Sequence, residues 1–275
     1  MTNDEYRKIQ AINYSALKVG RTSLPHMHAI ITGTAERFES DSLSLGTLLH
    51  EAMQLGAGWS AGFAIRPDGI DRRTRIGKEA YAAWLNTLPA DAKIVDSGDA
   101  ATIAKVEAMR QAINTHQVAR TLAALPGESE VTLVDGNRKA CVDRLTDAFI
   151  IDWKTCIDSS PTGFARSAAK YGYAQQAAWY VDMVRRKTGK TLPFVFIAVE
   201  SVAPHCVGVY QIVADQIEAA TQMNERIVKD YLAFVEAGAT THHTTDTIET
   251  LVLPEWAVAD KDQIPGGFDL SAEAF

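Results

Sequence analysis

Between residues 130 and 154 the chain abandons helical spacing for three short apolar runs, and this change constrains its fold more than any other feature. The runs are Val131-Thr132-Leu133, the segment around Val142-Asp143-Arg144, and Phe149-Ile150-Ile151. Asp135-Gly136-Asn137 is turn chemistry between the first two, and Thr146-Asp147 separates the second from the third. Three strands in such close succession predict neighbours in one sheet.

Each run carries an acid. Glu130 opens the first, Asp143 lies in the second, and Asp152 follows the third, nine residues beyond Asp143. Side chains alternate along a strand, so Asp152 and Lys154 share one face while Ile151 and Trp153 share the other. Two carboxylates and an ammonium gathered on adjacent strands are costly to bury unless they are paired or hold a cation. On antiparallel neighbours, Asp143 and Asp152 could face each other across ~5 Å and share one ion. Carboxylate oxygens are hard donors suited to Mg²⁺ or Mn²⁺, and such a set can hydrolyse a phosphodiester. Taken singly, either aspartate would be read as a solvated strand end. The grouping favours the metal site.

The rest of the composition narrows the setting. With 275 residues, 47% hydrophobic and 22% charged, the chain suits one large domain or a core with a helical appendage. No apolar run approaches the ~20 residues of a membrane span. The opening Met1-Thr2-Asn3-Asp4-Glu5 is acidic and unlike a signal peptide. Cys141, Cys156 and Cys206 are odd in number and form no C-x-x-C pair, which predicts a reducing cytoplasm and no zinc or disulfide frame. The net charge of −7 counts against a protein that coats DNA non-specifically. It still permits an enzyme that concentrates cations locally. Residues 66–78 do so, with five cations against two anions, and read as a basic loop.

Residues 1–125 read as mostly helical. Asn13-Tyr14-Ser15 is a capped helix start, Leu43 to Leu55 has helical spacing, and further helices are expected at about 78–88, 99–114 and 116–125. After the three strands, helices are predicted at 161–170 and 172–187, strands at 192–201 and 207–213, and a long helix over 214–237. Residues 239–275 read as an irregular tail. Three regions follow: 1–125, 126–238 and 239–275.

The order of elements and the residues on them resemble the PD-(D/E)XK nuclease superfamily, and within it RecE-type exodeoxyribonuclease VIII and phage-encoded relatives. The matching stretches are Gly46-Thr47-Leu48-Leu49-His50, Arg72 to Tyr81, Glu130, Val142-Asp143-Arg144, Ile151-Asp152-Trp153-Lys154-Thr155, Tyr173 to Tyr180, and Leu253-Pro254-Glu255-Trp256. Val142 replaces the proline that names the superfamily, and Asp152 replaces the commoner glutamate. The four cysteines of the iron–sulfur branch are absent from the sequence.

The resemblance implies an α/β restriction-endonuclease-like core, a central mixed sheet flanked by helices, behind a helical N-terminal region. It implies catalytic roles for Lys154, Asp152, Asp143, Glu130, Gln176 and Tyr180. Asp143, Asp152, Glu130, His50 and the Trp153 backbone carbonyl would hold metal, two Mg²⁺ per site with Mn²⁺ able to substitute. Glu128 competes with Glu130 for its role. Without the resemblance, His50 would be read as a hydrogen-bonded core histidine. Lys154 would act as a general base or stabilise the transition state.

Tyr173, Gln176 and Tyr180 fall on one helical face, which would border the site. Arg72, Arg73, Arg75, Lys78 and Tyr173 are the candidates for gripping DNA. The resemblance further implies 5′→3′ digestion of double-stranded DNA ends, a ring-shaped homo-oligomer, and a RecT-like single-strand annealing partner. The setting it implies is a phage or prophage recombination system in a bacterial cytoplasm. An endonuclease or single-strand exonuclease on the same core, or a catalytically silent DNA-end binder, are the rival readings. Asp152→Asn is expected to remove activity and, by deleting a repulsive carboxylate, to raise stability in metal-free buffer.

Overall fold

The computed structural model describes residues 3–36, 45–67, 70–71, 73–89, 92–95, 97–241, 248 and 250–254. Arg72, His242, His243, Glu255 and Trp256 lie outside the described residues. The chain divides into two units, 1–239 and 240–275. The described residues of the second unit carry no helix or strand.

In the first unit, helices α1 (Asn3–Lys8), α2 (Tyr14–Gly20), α3 (Leu24–Thr32) and α4 (Leu45–Leu55) precede strand β1 (Phe63–Ile65). Then come α5 (Arg75–Leu85), β2 (Lys93–Val95), α6 (Ser97–Thr115) and α7 (Gln117–Ala123). The three expected strands are β3 (Gly127–Asp135), β4 (Arg138–Thr146) and β5 (Ile150–Cys156). Next come α8 (Pro161–Tyr171), α9 (Tyr173–Thr188), β6 (Phe194–Glu200), β7 (Val207–Gln211) and α10 (Ala214–Glu236). None of the described helices is long and apolar enough to cross a membrane.

The main sheet has the order β3-β4-β5-β6-β7, with β5 and β6 parallel and the other neighbours antiparallel. A parallel pair requires a crossover, and α8 and α9 supply it. Both faces of the central strands are covered. Ile150, Phe194 and Phe196 join a core with residues of α2, α3, α9 and α10. Ile151, Trp153, Val195 and Ile197 join a second core with α4, α6 and α7. This alternation explains why Phe194–Glu200 is apolar almost throughout. The result is a mixed α/β architecture, a five-stranded sheet between two helical layers.

The N-terminal part is mostly helix, and β1 and β2 add a separate parallel pair to it; strands of three residues leave no alternation to read. Two expectations need correction. Residues 66–78 are not loop to their end. Thr74 Oγ1 accepts the Gly77 amide at 3.0 Å, and α5 starts at Arg75, three residues before the expected helix. Glu130 does not open its strand but stands inside it, with a left-handed φ of 52°.

Candidate active site

The site is built on β3, β4 and β5. Ser129 pairs with Arg144 and Val131 with Val142, so the register sets Glu130 opposite Asp143, yet that pair does not bond in the ladder. The β4–β5 ladder reaches Arg144 and Ile151 and stops one pair short of Asp143 and Asp152. Three acids thus stand in a row across three neighbouring strands, and the sheet opens at that row. Like charges directly opposite are destabilising, which gives the opening a physical cause. The backbone amide of Trp153 turns to the Asp143 carboxylate, donating to Oδ2 at 3.1 Å.

Helix α4 covers the opening. Leu48, Leu49 and Ala52 bury its inner face against the second core. This brings His50 onto β4 and β5, with Nε2 3.0 Å from the Trp153 carbonyl and Nδ1 3.5 Å from Asp143 Oδ2. A carbonyl only accepts, so Nε2 carries the proton. On a neutral ring, Nδ1 then presents a lone pair to a carboxylate oxygen. Two acceptors facing each other call for a proton or a cation between them.

His50, Glu130 and Asp143 each offer a ligand atom, and the three atoms lie within 4.8 Å of one another. Octahedral ligands at ~2.1 Å from an ion are ~3.0–4.2 Å apart, so the trio would draw together as an ion binds. Asp152 stands outside that trio. Its Oδ1 accepts from Gln176 Nε2 at 2.9 Å. Its buried Oδ2 meets the Lys154 ammonium at 2.5 Å and has no directed hydrogen bond. An imidazole nitrogen, three carboxylates and an under-coordinated buried oxygen fit a hard or borderline divalent cation. The Trp153 carbonyl lies on the Nε2 side of the ring, away from Nδ1, and keeps a second lone pair for a cation there.

Charge coupling here is strong. Burial, and then the Asp152 charge, push the Asp143 carboxyl up to about 7, against the opposing influence of His50 and Lys154. Burial alone would lower Lys154, but Asp152 and Asp143 outweigh it and hold the ammonium above its usual value. Burial, followed by Asp143 and Asp152, places the Tyr180 hydroxyl well above an ordinary phenol.

Helix α9 supplies the back wall. Tyr180 hydrogen-bonds Gln176, which holds Asp152. The Tyr173 ring lies beneath Lys154, with Nζ 5.2 Å from its centroid. The predicted site residues His50, Glu130, Asp143, Asp152, Trp153, Lys154, Tyr173, Gln176 and Tyr180 therefore converge on this one opening. The basic loop is occupied with its own acids. Arg73 Nε contacts Asp71 Oδ1 at 3.0 Å, and Arg75 Nη1 contacts Glu79 Oε1 at 2.6 Å. Lys78 is exposed on α5. Sequence reasoning missed Cys141, whose thiol donates to Glu130 Oε2 at 3.3 Å. Cys141 is two residues from Asp143 on the same strand, and period-two alternation was the signal that could have found it.

Residues 13–249 match the family described as a PDDEXK-like domain of unknown function (DUF3799). The chain belongs to that family. The crystal structure of a protein from Eubacterium rectale named "Putative exonuclease" shares this DUF3799 chain's fold. Its TM-score is 0.58 at 14% identity, covering 92% of this chain and 96% of that one. No curated protein matches the sequence. The DUF3799 match and the mixed sheet accord with the PD-(D/E)XK core implied by the resemblance.

Proposed function

We propose that this DUF3799 protein is a divalent-metal-dependent deoxyribonuclease that digests linear duplex DNA from its ends. The observation that carries the reading is the opening at Glu130, Asp143 and Asp152, with a buried ammonium 2.5 Å from one carboxylate oxygen. A structural ion pair would need neither the second and third acids nor an imidazole facing them. Metal-dependent nuclease chemistry has a use for all of these as ligands. The 5′→3′ polarity, the preference for ends, a ring-shaped homo-oligomer and a RecT-like partner rest on the resemblance to RecE-type enzymes. The cytoplasm as its location rests on three cysteines that are all free.

In this reading His50, Glu130, Asp143, Asp152 and the Trp153 carbonyl hold the metal. Bound there, Mg²⁺ or Mn²⁺, two per site, would supply an activated water and charge for the leaving oxygen. The protein's own groups do the rest. Gln176 donates to Asp152 Oδ1 and fixes the carboxylate's plane, leaving Oδ2 aimed into the site. Lys154 is held protonated by Asp152 and Asp143, which suits it to donating hydrogen bonds to the phosphoryl oxygens as charge builds on them. That protonation argues for the stabilising role over the general base. Water attacks phosphorus in line and releases a proton to solvent, the bond to the departing oxygen breaks, and that oxygen takes up a proton from solvent.

The test is an end-labelled linear duplex beside a covalently closed circle, each with Mg²⁺, with Mn²⁺ and with chelator. Metal-dependent release of nucleotides from the linear substrate alone is the expected outcome. Cutting of the circle would make the protein an endonuclease. Binding of ends without cleavage in any metal would make it a silent end binder.

A further inference from the structure

Beside the catalytic ammonium an aromatic stair leads out to solvent. The Tyr173 ring stacks on Phe196 at 5.4 Å and 26° and on Tyr171 at 5.9 Å and 28°. Phe196 is fully buried, Tyr173 half-buried, and Tyr171 43% exposed. Two ammonium groups from different helices lie over that outermost ring. Lys18 of α2 lies 5.5 Å from its centroid and Lys170 of α8 lies 5.6 Å away. Arg21 reaches the same end of α8, with Nη1 beside Gly172. In a chain of net charge −7, two ammonium groups over one exposed ring, with Arg21 nearby, gather positive charge locally.

The ring is also pinned. The Tyr14 hydroxyl contacts both the Tyr171 and Gly172 carbonyls at 2.8 Å, fixing the backbone at the end of α8. The Tyr173 ring supports one face. A large exposed aromatic normally gives up rotamer freedom when it binds, and here much of that freedom is already gone.

We propose that Tyr171, Lys18 and Lys170 form a platform for one unpaired strand of nucleic acid next to the cleavage centre. The inference deepens the nuclease reading and rests on it. A base would stack on the exposed Tyr171 ring by displacing an ammonium from its face, and the two ammonium groups would turn to the phosphates on either side. Lys154 lies 5.2 Å from the Tyr173 centroid, and Tyr171 is 5.9 Å beyond it, so the platform is at most about 11 Å from the catalytic ammonium. At ~3.4 Å per stacked nucleotide, that is about three nucleotides or fewer. Stacking ignores base identity, so the platform would hold any sequence. It recognises a strand with exposed base faces, which an intact duplex does not offer.

The test titrates the full-length protein, in chelator, with a short oligothymidine carrying one 2-aminopurine, alongside a duplex of equal length. Anisotropy reads affinity, and quenching of the analogue reads stacking. Wild type should bind the single strand and quench it. Tyr171→Ala and Tyr171→Leu should each weaken binding roughly 5- to 150-fold and abolish the quench. Tyr171→Phe should keep both, since the ring and not the hydroxyl does the stacking. Lys18→Gln with Lys170→Gln should keep the quench but flatten log affinity against log salt by about 1.4.

Wild-type affinity and quench in Tyr171→Leu would overturn the platform. So would a Tyr171→Phe that behaves like Tyr171→Ala, an equal loss on the duplex, or no quench by wild type. A separate duplex digestion with Mn²⁺ keeps the two ideas apart. Digestion without quenching sinks the platform alone, and quenching without digestion sinks the nuclease reading alone.

Discussion

Asp143 and Asp152 stand opposite each other at the point where β4 and β5 stop pairing, and the Asp143 carboxylate takes the Trp153 amide in place of a strand partner. Pairing stops at the level of these charges. The same arrangement makes the metal-free site sensitive to pH.

Burial first, and Asp152 second, raise Asp143 from 3.8 to about 7. Between about pH 4 and pH 7 the folded protein keeps a proton that the unfolded chain has released. Stability should therefore fall as pH rises through this window and level off above it, by at most about 4 kcal/mol. Metal binding displaces that proton, so the rise in Tm caused by Mn²⁺ should grow from pH 5 to pH 8. Thermal melts in chelator and in Mn²⁺ across that range check both signs. A metal effect that is flat with pH would remove Asp143 from the ligand set.

Asp152→Asn should cost orders of magnitude in cleavage, because the amide carries no charge to hold a cation. The stability gain expected from sequence should be largely offset. Asp152 pairs with Lys154, so its loss relieves Asp143 but deprives a buried ammonium of its nearest partner. The pH slope in chelator should shrink without vanishing, since burial remains as the larger cause. Melts of wild type and variant, paired at each pH, measure the difference.

Lys154→Ala should lose about 10²–10³ in turnover, the scale for a single transition-state donor. Its affinity for Mn²⁺ should hold or rise, because the ammonium 2.5 Å from Asp152 Oδ2 competes with any cation for that oxygen. Calorimetric titration separates the two roles. A collapse of metal affinity would mean that Lys154 positions the carboxylates.

Arg73 and Arg75 are each shared with an acid, which gives the basic loop a test of opposite sign. If the loop grips phosphates, Asp71→Asn with Glu79→Gln should free both guanidiniums and tighten duplex binding at low salt. Arg73→Ala with Arg75→Ala should weaken it and flatten the salt slope by up to about 1.8. Unchanged binding in both double variants would return the segment to a solvated turn. Gly77 belongs to the same turn, since a Cβ there would sit 1.9 Å from the Asp71 carbonyl oxygen.

Much of the site was legible because a strand's period is rigid. Once residues 149–154 read as extended, Asp152 and Lys154 had to leave by one face and Ile151 and Trp153 by the other, and their partners follow that division. Helix α9 was equally legible, since Tyr173, Gln176 and Tyr180 share a face by spacing alone. The role of Glu130 was legible but its backbone was not, because the left-handed φ arises where three acids meet across strands and belongs to none of its sequence neighbours. His50 was legible only through resemblance. It touches Trp153, 103 residues away, and nothing local to α4 distinguishes a site imidazole from a core one. The aromatic stair escaped because Tyr171, Tyr173 and Phe196 lie on three different elements and no spacing in the sequence joins them.

The parallel pairing of β5 with β6 has a consequence for the order in which the protein is made. By the time Tyr180 has left the ribosome, every residue named at the cleavage site has been delivered. Yet β5 then lacks the neighbour that covers its far edge, and Phe194 and Phe196, which contact Tyr180 and Tyr173, have not been synthesised. The acids are present before β6 braces the strand that carries Asp152. Competence to cut therefore arrives with β6, a strand that contributes none of the reacting groups. A chain divided between Tyr180 and Phe194 would yield one fragment with the chemistry and another with the support, and only their reassociation should restore a working site.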